Sequence, residues 1–253
     1  MKIKTVLVSQ PKPNTDKSPY FDLAKKLGLK VDFRPFIHVE GISAKEFRKT
    51  KISILDHTAI IFTSRTAIDH FFRICEELKI TVPETMKYFC ISESTAFYLQ
   101  KYIIYRKRKV FYGKRKFDEL IEVLEKYRGE KFLVPLSDKH KAEIPKKLEN
   151  NGFEFNKAIL YKTVISDLSD LENVYYDVLV FFSPSGIKSL FTNFPNFKQN
   201  STHIAAFGPT TSRAVEDHGL RLDIGAPNPQ APSMTMALEQ FIKKHNKEAG
   251  KKA

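Results

Sequence analysis

The sequence predicts an α/β protein of two similar parallel-sheet domains, one inserted into the other, with a ligand cleft between them. Three observations lead there. Short apolar runs rich in β-branched and aromatic residues alternate with segments of helical period, as in a parallel sheet covered by helices. Residues 59–72 (AIIFTSRTAIDHFF) lie without a gap over residues 178–191 (VLVFFSPSGIKSLF), so a strand, a serine turn and a helix occur twice. Most of the expected strands run into a turn that carries serine or threonine.

In chain order, strands are expected at 5–9, 59–63, 88–91, 110–112, 131–135, 178–182 and 203–207. Between them Ile68, Phe71, Phe72 and Cys75 recur at helical spacing, as do Phe117, Leu120, Ile121 and Leu124; the last helix carries Met234, Ala237, Leu238, Phe241 and Ile242. Such stripes are core faces. The repeat continues downstream, where residues 90–96 (CISESTA) stand in the place of 206–212 (AFGPTTS). A weaker echo links 25–33 to 146–155, each a helix end, a turn and a strand that enters an extended stretch, 35–39 or 158–164. Crossings there would join 1–34 to 168–253 as the first domain, make 35–41 and 158–167 linker strands forming a two-stranded hinge, and leave 42–157 as the inserted domain.

At 253 residues with 42% hydrophobic content the chain can fill real cores. Lys and Arg number 42 against 29 Asp and Glu, and the net charge of +13 favours an acidic partner. Much of the excess lies in the runs Arg106-Lys107-Arg108-Lys109 and Lys114-Arg115-Lys116 and in the tail from Lys243 to Lys252, which read as solvated faces. Cys75 and Cys90 have no ligand-spaced neighbours and read as small buried hydrophobes. No apolar run approaches membrane length and the N-terminus lacks a signal-peptide pattern, so a cytoplasmic protein without a membrane partner is expected.

In open α/β sheets ligands bind beyond the carboxyl ends of the strands, where helix starts present free N–H groups and a partial positive charge. The helix-start turns expected here contain Ser9, Ser64, Arg65, Thr66, Ser92, Ser94, Thr95, Ser137, Ser183, Ser185, Gly186, Gly208, Thr210 and Thr211. Each hydroxyl is explained singly as an N-cap; together they suit a ligand with several carboxylates or phosphates. There is no Walker loop, dinucleotide fingerprint, nucleophile elbow or HExxH. His38, His57, His70 and His203 lack ligand spacing and read as surface or satisfied core residues.

The segments Phe181-Phe182-Ser183-Pro184-Ser185-Gly186, Ala205-Ala206-Phe207-Gly208-Pro209-Thr210-Thr211-Ser212-Arg213-Ala214, Leu160-Tyr161-Lys162-Thr163 and Ala226-Pro227-Asn228-Pro229-Gln230-Ala231 resemble uroporphyrinogen-III synthases. The resemblance implies two flavodoxin-like domains joined by a two-stranded β-ladder, and a monomer acting in tetrapyrrole (heme) biosynthesis. It implies a cofactor-free lyase that closes hydroxymethylbilane, a linear tetrapyrrole, into uroporphyrinogen III with the last pyrrole inverted. It implies Tyr161 as the proton donor to the leaving hydroxyl, unless that tyrosine only braces the hinge. Thr211 follows as a substrate hydrogen-bond partner or cap, with Ser183, Ser185, Gly186 and Thr210 in carboxylate-binding turns. Two departures stand against this pattern: Gln10 where many relatives carry arginine, and Ser92-Glu93 where a glycine is expected and Glu93 would repel a carboxylate. The alternative is a non-catalytic two-domain binder of an anionic metabolite; a nucleic-acid partner rests on charge alone and is not expected.

Overall fold

The computed structural model describes residues 1–114, 116–140 and 142–251, so Arg115 and Lys252 of the basic runs lie outside the described residues. In chain order the elements are β1 (Thr5–Val8), α1 (Pro19–Leu27), β2 (Lys30–Phe33), β3 (Ile37–Gly41), α2 (Ala44–Arg48), β4 (Ala59–Phe62), α3 (Arg65–Glu77), β5 (Lys87–Cys90), α4 (Glu93–Tyr98) and β6 (Val110–Tyr112). They continue with α5 (Phe117–Leu124), β7 (Phe132–Ser137), α6 (Glu143–Asn150), β8 (Phe155–Ile165), β9 (Val178–Phe181), α7 (Pro184–Asn193), β10 (His203–Phe207), α8 (Pro209–Asp217), β11 (Leu222–Ala226) and α9 (Met234–Lys251).

The chain divides into one compact unit of Met1–His38 with Val164–Ala253 and a second of Val39–Thr163. The first holds a five-stranded sheet in the order β11-β10-β9-β1-β2, in which every pairing is parallel. Numbered within the unit this is 2-1-3-4-5, the flavodoxin-like order. The second sheet runs β3-β8-β7-β4-β5-β6. Apart from edge strand β3, it is the same order with β7 and β8 taken as strands one and two. The duplication is therefore permuted: β1-α1-β2 corresponds to β7-α6-β8, and the strands from β9 to β11 correspond to those from β4 to β6. The weak echo between 25–33 and 146–155 and the strong one between 59–72 and 178–191 are the two halves of this correspondence.

Central strands β4 and β9 are buried along their whole length because helices cover both faces of each sheet. In the second unit Ile60 and Phe62 pack with Ile68, Phe71 and Ile74 of α3, whereas Ala59 and Ile61 pack with Leu120 and Leu124 of α5 and Leu148 of α6. The helical stripes sit in these cores, with Phe72, Ile121 and Phe241 at their margins. Cys75 and Cys90 are both buried, and burial pushes each thiol up to about 12. No helix among the described residues is long and apolar enough to cross a membrane.

Two expected helix starts need correction, and strand β11, whose short run LDIGA is interrupted by Asp223 and Gly225, was not anticipated. Ser9 is not a helix start: α1 begins at Pro19, capped by Ser18, whose hydroxyl accepts from the Tyr20 N–H at 3.4 Å. Nor does Ser137 start a helix, since it ends β7 and α6 begins at Glu143 without a side-chain cap. In both places a polar loop intervenes, which single-sequence patterning merged with the following helix.

Candidate active site

Each sheet reverses its winding once, between β1 and β9 in the first unit and between β7 and β4 in the second. The crevice outside the carboxyl ends of such a strand pair is where doubly wound sheets take ligands.

In the first unit this point brings Ser9 and Ser183 together. The Ser9 N–H donates to the Val180 carbonyl at 3.0 Å, which continues the β1–β9 ladder one residue past the strand. Ser183 caps α7, its hydroxyl accepting from the Gly186 N–H at 3.3 Å. A Cβ added to Gly186 would lie 3.3 Å from Phe181 Cδ1 and 3.8 Å from both serine hydroxyls. The hydroxyls therefore flank the first turn of α7. Ser185, in that turn, is half-buried. One strand further out, Gly208 opens α8 with φ 88°, and its N–H donates to the Ala226 carbonyl at 2.6 Å. Thr210 is exposed on the first turn, whereas Thr211 is 1% exposed. Thr211 is not the cap, and in this conformation its side chain faces protein rather than a ligand.

The second unit assembles Ser64, Ser137 and Tyr161. Ser64 caps α3, accepting from the Ala67 N–H at 3.0 Å, and its hydroxyl lies 3.4 Å from the Tyr161 hydroxyl. Tyr161 faces Ser137 across the β7–β8 ladder, in which Leu136 pairs with Ile159 and Ser137 with Tyr161. Leu160 is thus an extra residue, a bulge, and it changes which way Tyr161 points. Ile159 packs on the α5/α6 side and simple alternation would send Tyr161 after it, yet Leu160 and Tyr161 both enter the α3-side core. There the Tyr161 ring stacks on His70, centroids 5.0 Å apart and planes at 17°.

The remaining turn residues are less convergent. The Arg65 guanidinium lies over the Tyr98 ring at 5.3 Å, and Thr66 is half-buried beside it. Ser92 caps α4; its hydroxyl lies 3.0 Å from that of Thr95, which is buried, and 3.2 Å from that of exposed Ser94. Glu93 accepts from the Tyr112 hydroxyl at 3.0 Å, which holds its carboxylate toward β6. The Ser137 hydroxyl donates to Asp138 at 2.9 Å and accepts from the Lys139 N–H at 3.2 Å, closing its own turn.

Among the histidines, His57 is a satisfied core residue, within 2.8 Å of the Ser53 carbonyl and 2.9 Å of the Asn156 side-chain oxygen. His70 is what the sequence reading missed. Its partner lies on a distant strand, and no local pattern announces the contact. No group of three or more His, Cys, Asp or Glu side chains among the described residues is placed to hold a metal ion.

The arrangement offers serine hydroxyls for anions at each switch point, and one aromatic hydroxyl poised at a helix start. The family model described as uroporphyrinogen-III synthase HemD matches residues 18–236. A uroporphyrinogen-III synthase of Chlorobaculum parvum is 23% identical over 95% of this chain and its own full length. The Saccharomyces cerevisiae enzyme of that name is 28% identical over 39% of the chain, a stretch spanning 41% of the yeast protein. In fold, the chain is similar to the Helicobacter pylori uroporphyrinogen-III synthetase, with a TM-score of 0.61 and 19% identity over 96% of this chain and 100% of that one. A mutant Thermus thermophilus uroporphyrinogen III synthase gives 0.54 and 14% over 96% and 99%. With the family match spanning most of its length and the parallel-sheet order agreeing, this chain belongs to the uroporphyrinogen-III synthase family.

Proposed function

We propose that the chain carries out its family's reaction as a cyclising hydro-lyase: it takes hydroxymethylbilane, removes its terminal hydroxyl as water, and closes uroporphyrinogen III with the last pyrrole inverted. The observation that carries the reading is Tyr161, turned by the Leu160 bulge onto the start of α3, its hydroxyl 3.4 Å from that of Ser64. The Tyr161 hydroxyl donates its proton to the leaving hydroxyl as the C–O bond breaks. Water departs and an azafulvene cation remains. Ser64, whose hydroxyl oxygen already accepts from Ala67, has its own hydrogen free to meet the developing phenolate. The positive end of α3 favours that charge as well. The substituted carbon of the last pyrrole then attacks the cation to give a spiro intermediate; fragmentation and recombination invert the ring, and the proton lost on rearomatisation returns to Tyr161.

The linear substrate also closes without an enzyme, to the uninverted isomer, so the protein chiefly has to hold the chain in the productive conformation. In each unit turns at or beside the switch point supply that hold, through the hydroxyls of Ser9, Ser183 and Ser64 and the exposed Thr210. Thr211, closed off by the protein, shapes its turn rather than touching substrate. We place this activity in a cytoplasmic monomer that needs no cofactor.

Freshly prepared hydroxymethylbilane given to the protein should yield the type III isomer; type I alone, as in buffer, would overturn the enzymatic reading in favour of a non-catalytic binder. Tyr161→Phe should lower kcat by about 10² with melting temperature little changed, in the range of a lost general acid. Full activity in that variant would exclude proton donation by this hydroxyl.

A further inference from the structure

The bulge that aims Tyr161 is held by a helix. The Leu160 carbonyl accepts from the Ile42 N–H at 3.0 Å and from Arg73 Nη2 at 3.4 Å, and the same Arg73 nitrogen donates to the Ile42 carbonyl at 2.7 Å. Arg73 thus ties the extra residue of β8 to the chain leaving β3. Glu77, one turn along α3, accepts from the other arm of the guanidinium and keeps it extended. Gly41 makes room for it: a Cβ there would come within 2.5 Å of Arg73 Nη2. Arg73 Nε donates to His70 Nδ1 at 3.2 Å, so the ring stacked on Tyr161 is fixed in orientation by the side chain that fixes the bulge. Burial, helped by the Arg73 charge and opposed by Asp69, holds the imidazole below its ordinary pKa, which keeps Nδ1 an acceptor near neutrality.

We infer that Arg73 and His70 are positioning residues for the reaction, a clamp on α3 in which Arg73 pins the Leu160 bulge and His70 carries the face of the Tyr161 ring. This rests on Tyr161 being the proton donor. Neither side chain needs to meet substrate; together they set where the phenol hydroxyl stands, and misplacement of a catalytic group by an ångström can cost about 10² in rate. Arg73 is suited because its planar fork reaches two carbonyls and the imidazole at once, which a lysine cannot do.

The test is a double-mutant cycle on the full chain. His70→Ala should lower kcat about tenfold at unchanged KM and raise the type I fraction, while His70→Phe, which keeps a flat ring, should recover most of the loss. Arg73→Lys and Gly41→Ala should behave like His70→Ala. In the Tyr161→Phe background His70→Ala should cost less than about twofold, since it acts through a group already removed. Equal losses in both backgrounds would overturn the clamp and leave the Tyr161 reading standing. If Tyr161→Phe is fully active the donor reading falls, and the contact is decided by NMR. The His70 Cε1–H resonance, displaced by the Tyr161 ring current, should move toward its ordinary position in Tyr161→Leu and stay in place in Tyr161→Phe; no movement in the leucine variant would overturn the clamp.

Discussion

The Ser64 hydroxyl has two duties, accepting from the Ala67 N–H to cap α3 and standing 3.4 Å from the Tyr161 hydroxyl. Ser64→Ala removes both. The lost cap should cost about 1 kcal/mol in urea unfolding, and kcat should fall beyond what that loss of stability explains. Wild-type kcat in a destabilised Ser64→Ala protein would confine the hydroxyl to capping. Ser183 caps α7 in the corresponding place of the other unit, so Ser183→Ala gives the comparison for a cap that has no tyrosine in the described contacts. What separates the two serines is not their local sequence, which is a strand followed by a helix in both copies, but the bulged strand that reaches only one of them.

At the level of elements, the turn from β10 into α8 depends on a backbone conformation. Gly208 has φ 88° and ψ 151°, a region that residues with a Cβ rarely enter, while its N–H bonds the Ala226 carbonyl across to β11. Nothing lies within 4 Å of a Cβ built there, so the restriction is torsional and not steric crowding. Gly208→Ala should therefore destabilise by about 1–3 kcal/mol, the cost of holding such an angle, and be seen as a lower melting temperature. An unchanged melting temperature would show that the turn relaxes freely. The corresponding turn at Ser92 has an ordinary extended φ of −149° and starts a helix of six residues, which explains how that copy dispenses with the glycine. Glu93 in that turn accepts from the Tyr112 hydroxyl at the carboxyl end of β6.

Across the whole molecule, acid should weaken both units together. Burial would raise the carboxyl of Asp69 in the second unit, but the hydroxyls of Tyr102 and Tyr98 and the Lys101 ammonium overcome it and hold it below the usual range. Asp177 in the first unit is likewise held down against burial by the N–H groups of Lys4 and Thr5 and the Thr5 hydroxyl, and Asp223 by Arg221, the Ile204 N–H and His203. Between the lowered folded pKa and the ordinary value near 3.9 the unfolded chain binds more protons, so stability is full above that value and is lost as pH falls through the window. The depressed His70 adds a loss of the same sign starting higher, as pH drops below about 6.5. Melting temperature should stay level from pH 8 to 7, slip near 6 and fall steeply below 4; a flat profile down to pH 3 would show that these bonds do not favour the folded state.

The sequence by itself determined what is local or periodic. Alternating strand and helix patterns, the repeated strand-serine-helix unit, the apolar stripes and the caps at Ser64, Ser92 and Ser183 follow from short-range geometry, and one of the family motifs sits on the Ser183 turn. It fell short where a loop imitates a helix start, after Ser9 and Ser137, and where a glycine breaks a short strand, as in β11. Only the tertiary structure decided that the second copy is permuted, that Leu160 bulges and that Tyr161 meets both Ser64 and His70. Strand register is fixed by a partner strand and by the core each face must bury, and one extra residue reverses the face of every side chain after it. Ser64 and Tyr161 stand 97 residues apart, and no local pattern around either of them announces the single skipped position that turns a strand tyrosine into the candidate acid.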